Sequence, residues 1–221
     1  GVEFGVVSRA PAVGGQVLTL QGPGAQYDDI FLPLFGEHQA SNAAVALAAV
    51  EAFLGGGAKS LDPELVRAGF ASVTSPGRLE VVRRGPTVVV DAAHNPHGAR
   101  ALASAIVDGF EFTRLIGVVA VLAEKDARGL LTALEPILAE VVVTRSTSPR
   151  AVDPDELAAL AVELFGQERV HVAARLAEAI DVAVELADGA AAELGGGAGV
   201  LVTGSVVTAA EARALLGRVE A

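Results

Sequence analysis

From Thr87 onward the chain alternates short, almost wholly apolar runs with longer segments whose apolar residues recur every three or four positions. Strands are expected at Thr87–Val90, Leu115–Val121, Val141–Thr144, Val170–Ala173 and Val200–Thr203. Helices are expected near Pro96–Val107, Ala127–Leu138, Pro154–Phe165, Leu176–Ala187 and Thr208–Leu216. A strand without polar alternation is buried on both faces, and strands separated by helices pair in parallel. The pattern therefore predicts an α/β fold with a mostly parallel sheet covered on both sides. Sheets of this kind bind ligands beyond the carboxyl ends of their strands.

The first part of the chain is organised differently. Three β-like runs, Val2–Ser8, Gln16–Gln21 and Tyr27–Leu34, are separated by Gly14-Gly15 and Gly22-Pro23-Gly24 as turn signals. A long Ala-rich helix is expected from Glu37 to Leu54, stopped by Gly55-Gly56-Gly57. A second should start at Asp62-Pro63, with Asp as N-cap and Pro at the first helical position. Thr74-Ser75-Pro76-Gly77 reads as a hinge, and beyond it Leu79–Val82 and Thr87–Val90 flank Arg83-Arg84-Gly85-Pro86 as a hairpin. The chain opens directly on a strand-like run with no Met at position 1, as though it starts inside a domain whose earlier strands lie elsewhere.

Composition narrows the function. With 221 residues, 52% of them apolar and 19% charged, the chain has ample material for a core, and its apolar runs fall well short of the ~20 residues of a membrane-spanning helix. A soluble globular protein is expected. The net charge of −11 is scattered, which argues against bulk electrostatic binding of nucleic acid. A nucleotide needs only a few placed cations and backbone N–H groups, so ATP remains compatible with an acidic chain. The absence of cysteine excludes disulfides and thiolate metal sites, and fits a reducing cytoplasm.

The chemically richest run is Val88-Val89-Val90-Asp91-Ala92-Ala93-His94-Asn95-Pro96-His97-Gly98. A buried strand ends in Asp91 and a helix is expected to start at Pro96, capped by Asn95. A carboxylate, two imidazoles and the free N–H groups of a helix start then meet at one sheet edge, where sugar hydroxyls and anions are bound. Asn-Pro is equally an ordinary helix start, and both histidines fit a solvated position. The run Gly55-Gly56-Gly57-Ala58-Lys59-Ser60 has the look of a phosphate loop. It lacks Gly immediately before Lys and follows a helix instead of a strand, so it reads as a helix stop and surface loop.

Taken with Ser75-Pro76-Gly77-Arg78-Leu79-Glu80 and with Gly36-Glu37-His38-Gln39 followed by Asn42, the Asp91–His97 run resembles the folylpolyglutamate synthase and dihydrofolate synthase family of the Mur ligase superfamily. Three motifs, in the family's order and between the right elements, carry the resemblance across nearly the whole chain. It implies a Rossmann-like carboxy-terminal domain at residues 75–221, preceded at residues 1–74 by the tail of a Mur-ligase-type ATPase domain. It implies an ATP-dependent ligase joining L-glutamate to a folate-type carboxylate through an acyl phosphate.

By the same resemblance Asn42 contacts adenine as a buried amide, Arg78 the ATP phosphates and Asp91 the ribose hydroxyls. His94 is placed near the reacting phosphoryl group or incoming amino acid. Lys125 is placed on the substrate side by a similar position in the family; Gly204-Ser205, after the last expected strand, is a further sheet-edge position where backbone N–H groups can meet a carboxylate. His38 and His97 are secondary candidates. Family members also carry a true phosphate loop, acidic and histidine Mg²⁺ ligands and a modified lysine, none of which occurs here. The resemblance thus covers half of an ATP site, and negligible activity is expected from this chain alone. A cell-wall peptide ligase using the same adenosine clamp, and a non-catalytic nucleotide- or partner-binding module, are the rival readings.

Overall fold

The structure, a computed structural model, describes residues 3–56 and 59–217, with the side chain of residue 194 excepted. Val2 of the first expected strand, and Gly57 and Ala58 of the glycine-rich loop, lie outside the described residues. The chain divides into two compact units, Gly1–Ser75 and Pro76–Ala221.

In the first unit, β1 (Gly5–Ala12), β2 (Gly15–Gln21) and β3 (Gln26–Leu32) form an antiparallel meander. Gly15 is required where it stands: a Cβ there would lie 2.2 Å from the Leu32 carbonyl oxygen. The period of two in β2 turns Leu18 and Leu20 inward, where they meet Tyr27, Ile30 and Leu32. Helix α1 (Glu37–Gly55) adds Ala40, Ala43, Ala44 and Leu47 at helical spacing, and α2 (Pro63–Ala71) adds Val66. Small residues on α1 let its backbone approach the sheet closely. Gly56, in the left-handed region at φ 64°, stops α1, and Asp62 caps α2 by accepting from the Glu64 N–H.

The second unit is a six-stranded sheet in the order β4-β5-β9-β6-β7-β8. Its strands are β4 (Glu80–Arg84), β5 (Thr87–Val90), β6 (Arg114–Val119), β7 (Glu140–Val143), β8 (Val170–Val172) and β9 (Ala198–Thr203). The β4–β5 pair is the expected hairpin and is antiparallel; every other pairing is parallel. Helices α3 (Pro96–Gly109), α4 (Ala127–Leu134) and α5 (Pro154–Phe165) connect strands moving one way across the sheet. Helix α6 (Leu176–Leu194) returns the chain from the β8 edge to β9 in the centre, and α7 (Val206–Leu216) follows. Right-handed crossovers in opposite directions put the two sets of helices on opposite faces.

Alternate strand residues Val88, Val90, Ile116, Val118, Val200 and Val202 pack with Ala179, Ile180, Ala183 and Ala187 of α6 and with Ala209 and Ala212 of α7. Burying each Val or Ile side chain contributes about 1.5–3 kcal/mol, so this apolar stripe, not any polar contact, fixes the sheet. Two helix ends differ from expectation. α4 stops at Leu134 and yields to a single 3₁₀ turn, Glu135–Ile137, because Pro136 lacks the N–H that would continue the helix. α6 runs past Ala187 and through Gly189 because Ala190 prolongs its buried stripe.

Candidate functional site

The carboxyl ends of β5, β9 and β6 are tied together by backbone and side-chain hydrogen bonds. Asp91 follows β5 directly and its own N–H still pairs with the Val202 carbonyl of β9. The residue is buried, at 7% exposure. One oxygen accepts the Leu79 N–H at 3.0 Å and the other the Ala93 N–H at 2.8 Å. The Ala92 N–H in turn donates to the Gly77 carbonyl at 2.8 Å. The Pro-Gly-Arg-Leu-Glu turn and the Asp-Ala-Ala-His-Asn loop are thus one hydrogen-bonded unit.

That turn is unusual in its backbone. Gly77 has φ 71° and Leu79 has φ 46°. A left-handed conformation costs a non-glycine residue about 1–2 kcal/mol. Leu79 is held there by burial of its side chain to 3% exposure and by the Asp91 carboxylate on its N–H. Arg78 sits between the two, exposed, and makes no hydrogen bond or ion pair among the described residues. The turn presents a guanidinium that nothing in the described protein has claimed.

His94 is half-buried, and its Nδ1 lies 3.0 Å from the Ala92 carbonyl oxygen. A carbonyl accepts only, so Nδ1 carries the hydrogen and donates. In the neutral ring Nε2 is then the acceptor, which is the tautomer a proton-accepting imidazole needs. Asn95 caps α3 as expected, accepting the Gly98 N–H at 2.8 Å. His97 is exposed in the first turn of α3, and His38, half-buried, stands in the first turn of α1 with an interaction of its own.

The Gly204-Ser205 edge differs from expectation. The Gly204 N–H donates to the Ala93 carbonyl at 3.1 Å, so it has no hydrogen for a substrate carboxylate. A Cβ at Gly204 would lie 2.5 Å from the Ala120 oxygen, which is why glycine stands there. Ser205 is buried, at 1% exposure, and its hydroxyl caps α7, accepting the Thr208 N–H at 2.9 Å. Thr208 Oγ1 donates to the Ala120 carbonyl at 3.1 Å, so the Ser205 hydroxyl must be the donor in their 2.7 Å contact. Serine here serves the fold with both its hydrogen and a lone pair.

Lys125 is half-buried on the loop after β6, its N–H on the Leu122 carbonyl, and Asp126 beside it caps α4 through the Gly129 N–H at 2.8 Å. A Cβ on Gly129 would come 2.6 Å from Pro96 Cγ, so the starts of α3 and α4 are adjacent and bring the Lys125 loop beside the His94 loop. In the first unit Asn42 is exposed on α1, its Nδ2 donating to Gln39 Oε1 at 3.1 Å. The expectation of a buried amide is corrected: the neighbouring alanines face the sheet core and Asn42 falls on the other side of the helix.

Two features were missed from the sequence. Glu80 Oε2 accepts both the Gly77 N–H, at 2.7 Å, and Arg213 Nε of α7, at 2.5 Å. A cleft of about 640 Å³ also opens at the carboxyl ends of β7 and β8, lined among others by Arg145, Ser146, Thr147, Arg175 and Glu211. The three-residue step from Gly77 to Glu80 hints at the first; nothing local signals Arg213 or the cleft.

Residues 77–206, more than half of the chain, match the family model described as Mur ligase, glutamate ligase domain. The chain belongs to the Mur ligase family. It is 57% identical over 223 residues to the dihydrofolate synthase/folylpolyglutamate synthase of Mycobacterium tuberculosis, an alignment covering 98% of this chain and 46% of that one. Its structure matches that of Mycobacterium tuberculosis folylpolyglutamate synthase complexed with ADP at a TM-score of 0.94 and 56% identity, over 99% of this chain and 49% of that one. Folylpolyglutamate synthase from Thermotoga maritima matches at a TM-score of 0.74 and 27% identity, over 97% of this chain and 46% of that one. The chain spans about half the length of these relatives. No helix among the described residues is long and apolar enough to cross a membrane.

Proposed function

We propose that this chain is part of a cytoplasmic, monomeric ATP-dependent ligase that joins L-glutamate to the carboxylate of a folate or dihydropteroate. The observation that carries the reading is the Asp91 carboxylate, which holds the Arg78 turn and the His94 loop together at the carboxyl edge of a parallel sheet. Family membership and the 57% identity to a dihydrofolate synthase/folylpolyglutamate synthase, whose solved counterpart is an ADP complex, support it. Residues 1–74 are read as the tail of the ATPase domain, and 75–221 as the Rossmann-like domain that supplies Arg78 and Asp91 to the nucleotide.

A carboxylate is a poor electrophile, and the oxide it would expel is a poor leaving group. In the proposed reaction an oxygen of the substrate carboxylate bonds to the γ-phosphorus of ATP, ADP departs, and an acyl phosphate results. The glutamate amine then adds to that carbonyl, the tetrahedral intermediate expels phosphate, and the nitrogen loses a proton. Arg78 offers a planar fork of donors to phosphate oxygens. Asp91, at the carboxyl end of β5, serves the ribose hydroxyls as a hydrogen-bond acceptor. Asn42 serves the adenine edge. His94, anchored through Nδ1, leaves Nε2 to accept the proton of the attacking amine. Lys125 and the α7 start at Ser205 stand on the glutamate side, Lys125 as the countercharge to a substrate carboxylate.

Mg²⁺ would neutralise charge on the transferring phosphoryl group. Among the described residues no group of three His, Asp or Glu side chains is placed to hold a metal. The described residues do not form its site.

The test is glutamate-dependent phosphate release from ATP by the complete gene product, offered dihydropteroate, tetrahydrofolate or a UDP-linked cell-wall peptide precursor. Release with either pteridine substrate is expected. Release with the cell-wall precursor alone would overturn the folate assignment, and nucleotide binding without release on any substrate would leave a binding module.

A further inference from the structure

The strained turn that carries Arg78 is fixed from two sides. On one, Asp91 takes the Leu79 N–H. On the other, a single oxygen of Glu80 takes both the Gly77 N–H and the Arg213 guanidinium. Arg213 is 133 residues away in sequence, on the last helix, and both side chains are about three-quarters buried, at 26% and 23% exposure. Hydrogen bonds with a charged donor or acceptor are about twice as strong as neutral ones, and the Arg213–Glu80 contact is charged on both sides. Without Arg213, Glu80 keeps one neutral N–H, and a carboxylate partly withdrawn from water turns toward solvent. Gly77 then loses the acceptor that holds its left-handed conformation, and the direction of Arg78 is no longer set.

The same helix reaches the opposite side of the edge. Glu211, two residues before Arg213, accepts the Thr147 N–H at 3.0 Å, and the Thr147 hydroxyl also donates to it. Residues two apart on a helix point in different directions, so α7 ties the Arg78 turn with one and the loop after β7 with the other. We infer that Arg213 is a positioning residue for Arg78, acting through Glu80 and contacting no substrate. The inference rests on the reading of Arg78 as a phosphate contact.

The experiment is steady-state kinetics of the complete gene product with Arg78→Ala, Arg213→Ala, Arg213→Lys and the double variant Arg78→Ala/Arg213→Ala, with melting temperature measured in parallel. Arg78→Ala is expected to raise the KM for ATP about tenfold or more, the loss of a charged hydrogen-bonding partner. Arg213→Ala should raise it about threefold to tenfold while kcat and the KM for glutamate change less than twofold, and Arg213→Lys, which keeps a charged donor, should recover most of the loss. In the double variant the Arg213 change should add nothing, since the residue it positions is gone. An ATP KM that Arg213→Ala leaves unchanged, or an effect that multiplies fully with Arg78→Ala, overturns the positioning role while the phosphate reading stands. An Arg78→Ala enzyme with normal ATP KM overturns both. Should Arg213→Ala not fold, Arg213→Lys and Glu80→Gln carry the same comparison.

Discussion

Asp91 Oδ2 accepts the backbone N–H of Leu79 at 3.0 Å, across twelve residues of sequence, while its other oxygen holds Ala93. The residue read as the ribose contact is therefore also the clamp of the Arg78 turn. On that reading its removal is expected to cost twice, once in folding and once in binding.

Asp91→Ala leaves two buried N–H groups without acceptors, at about 1–3 kcal/mol each, so a loss of about 2–6 kcal/mol in unfolding free energy is expected. Asp91→Asn keeps one acceptor oxygen and should lose less, about 1–2 kcal/mol. Urea unfolding of this chain measures both. Equal and negligible losses would show that the clamp does not hold Leu79. Nucleotide affinity in the Asn variant separates the two roles: an unchanged value removes Asp91 from the ribose.

His94 tests the chemical step. With Nδ1–H spent on Ala92, His94→Ala should lower kcat of the complete gene product about 100-fold or more, the usual contribution of a positioned base. The KM for ATP should stay within about threefold. A kcat that survives intact would take the proton-accepting role away from this side chain.

At the amino-terminal edge of the sheet, Glu140 is bridged by Arg114 at 2.6 Å and His171 at 2.7 Å. Burial pushes its carboxyl up, but the hydrogen bonds and charges of Arg114 and His171 outweigh burial, and it titrates below the ordinary 4.5. A depressed carboxyl contributes stability above its unfolded value and loses it as pH falls through the folded one. The wild type should therefore lose stability as pH falls from about 5 to about 3. Glu140→Gln should start lower at neutral pH and decline less steeply over that window. Chemical denaturation at stepped pH gives both slopes; parallel curves would exclude Glu140 as the source.

In the first unit, the Tyr27 hydroxyl donates to the fully buried Glu51 at 2.5 Å and accepts the Leu61 N–H at 2.7 Å. Burial, then the Glu51 hydrogen bond, pushes the phenol above its ordinary value. Tyr27→Phe keeps the ring but removes the hydroxyl donor from the buried Glu51, which keeps the Gly24 N–H at 2.9 Å, and leaves the Leu61 N–H without its hydroxyl acceptor. A destabilisation of about 2–4 kcal/mol is expected by thermal or urea unfolding. A change below about 0.5 kcal/mol would show that water replaces the hydroxyl freely.

Local chemistry made the expected elements readable. Asp62, Asn95 and Asp153 each precede a Pro that opens a helix, and each accepts a first-turn N–H. Helix ends were less readable because they depend on packing: α6 passes Gly189 since the burial of Ala190 outweighs the roughly 1 kcal/mol glycine penalty. Asn42 shows the same limit within a correctly placed helix, where a stretch of alanines does not reveal which side meets the core.

The amino-acid sequence by itself determined the order of strands and helices, the caps, and the loop from Asp91 to His97 at a strand's carboxyl end. These follow from periodicities and hydrogen bonds that span only a few residues. Tertiary structure alone decided that Glu80 meets Arg213, that Thr208 meets the Ala120 carbonyl, and that the Gly204 N–H is spent on Ala93. Those contacts depend on β9 inserting between β5 and β6. That choice is made by burying apolar faces of similar composition against one another, and a linear pattern of valines does not distinguish one neighbour from the next.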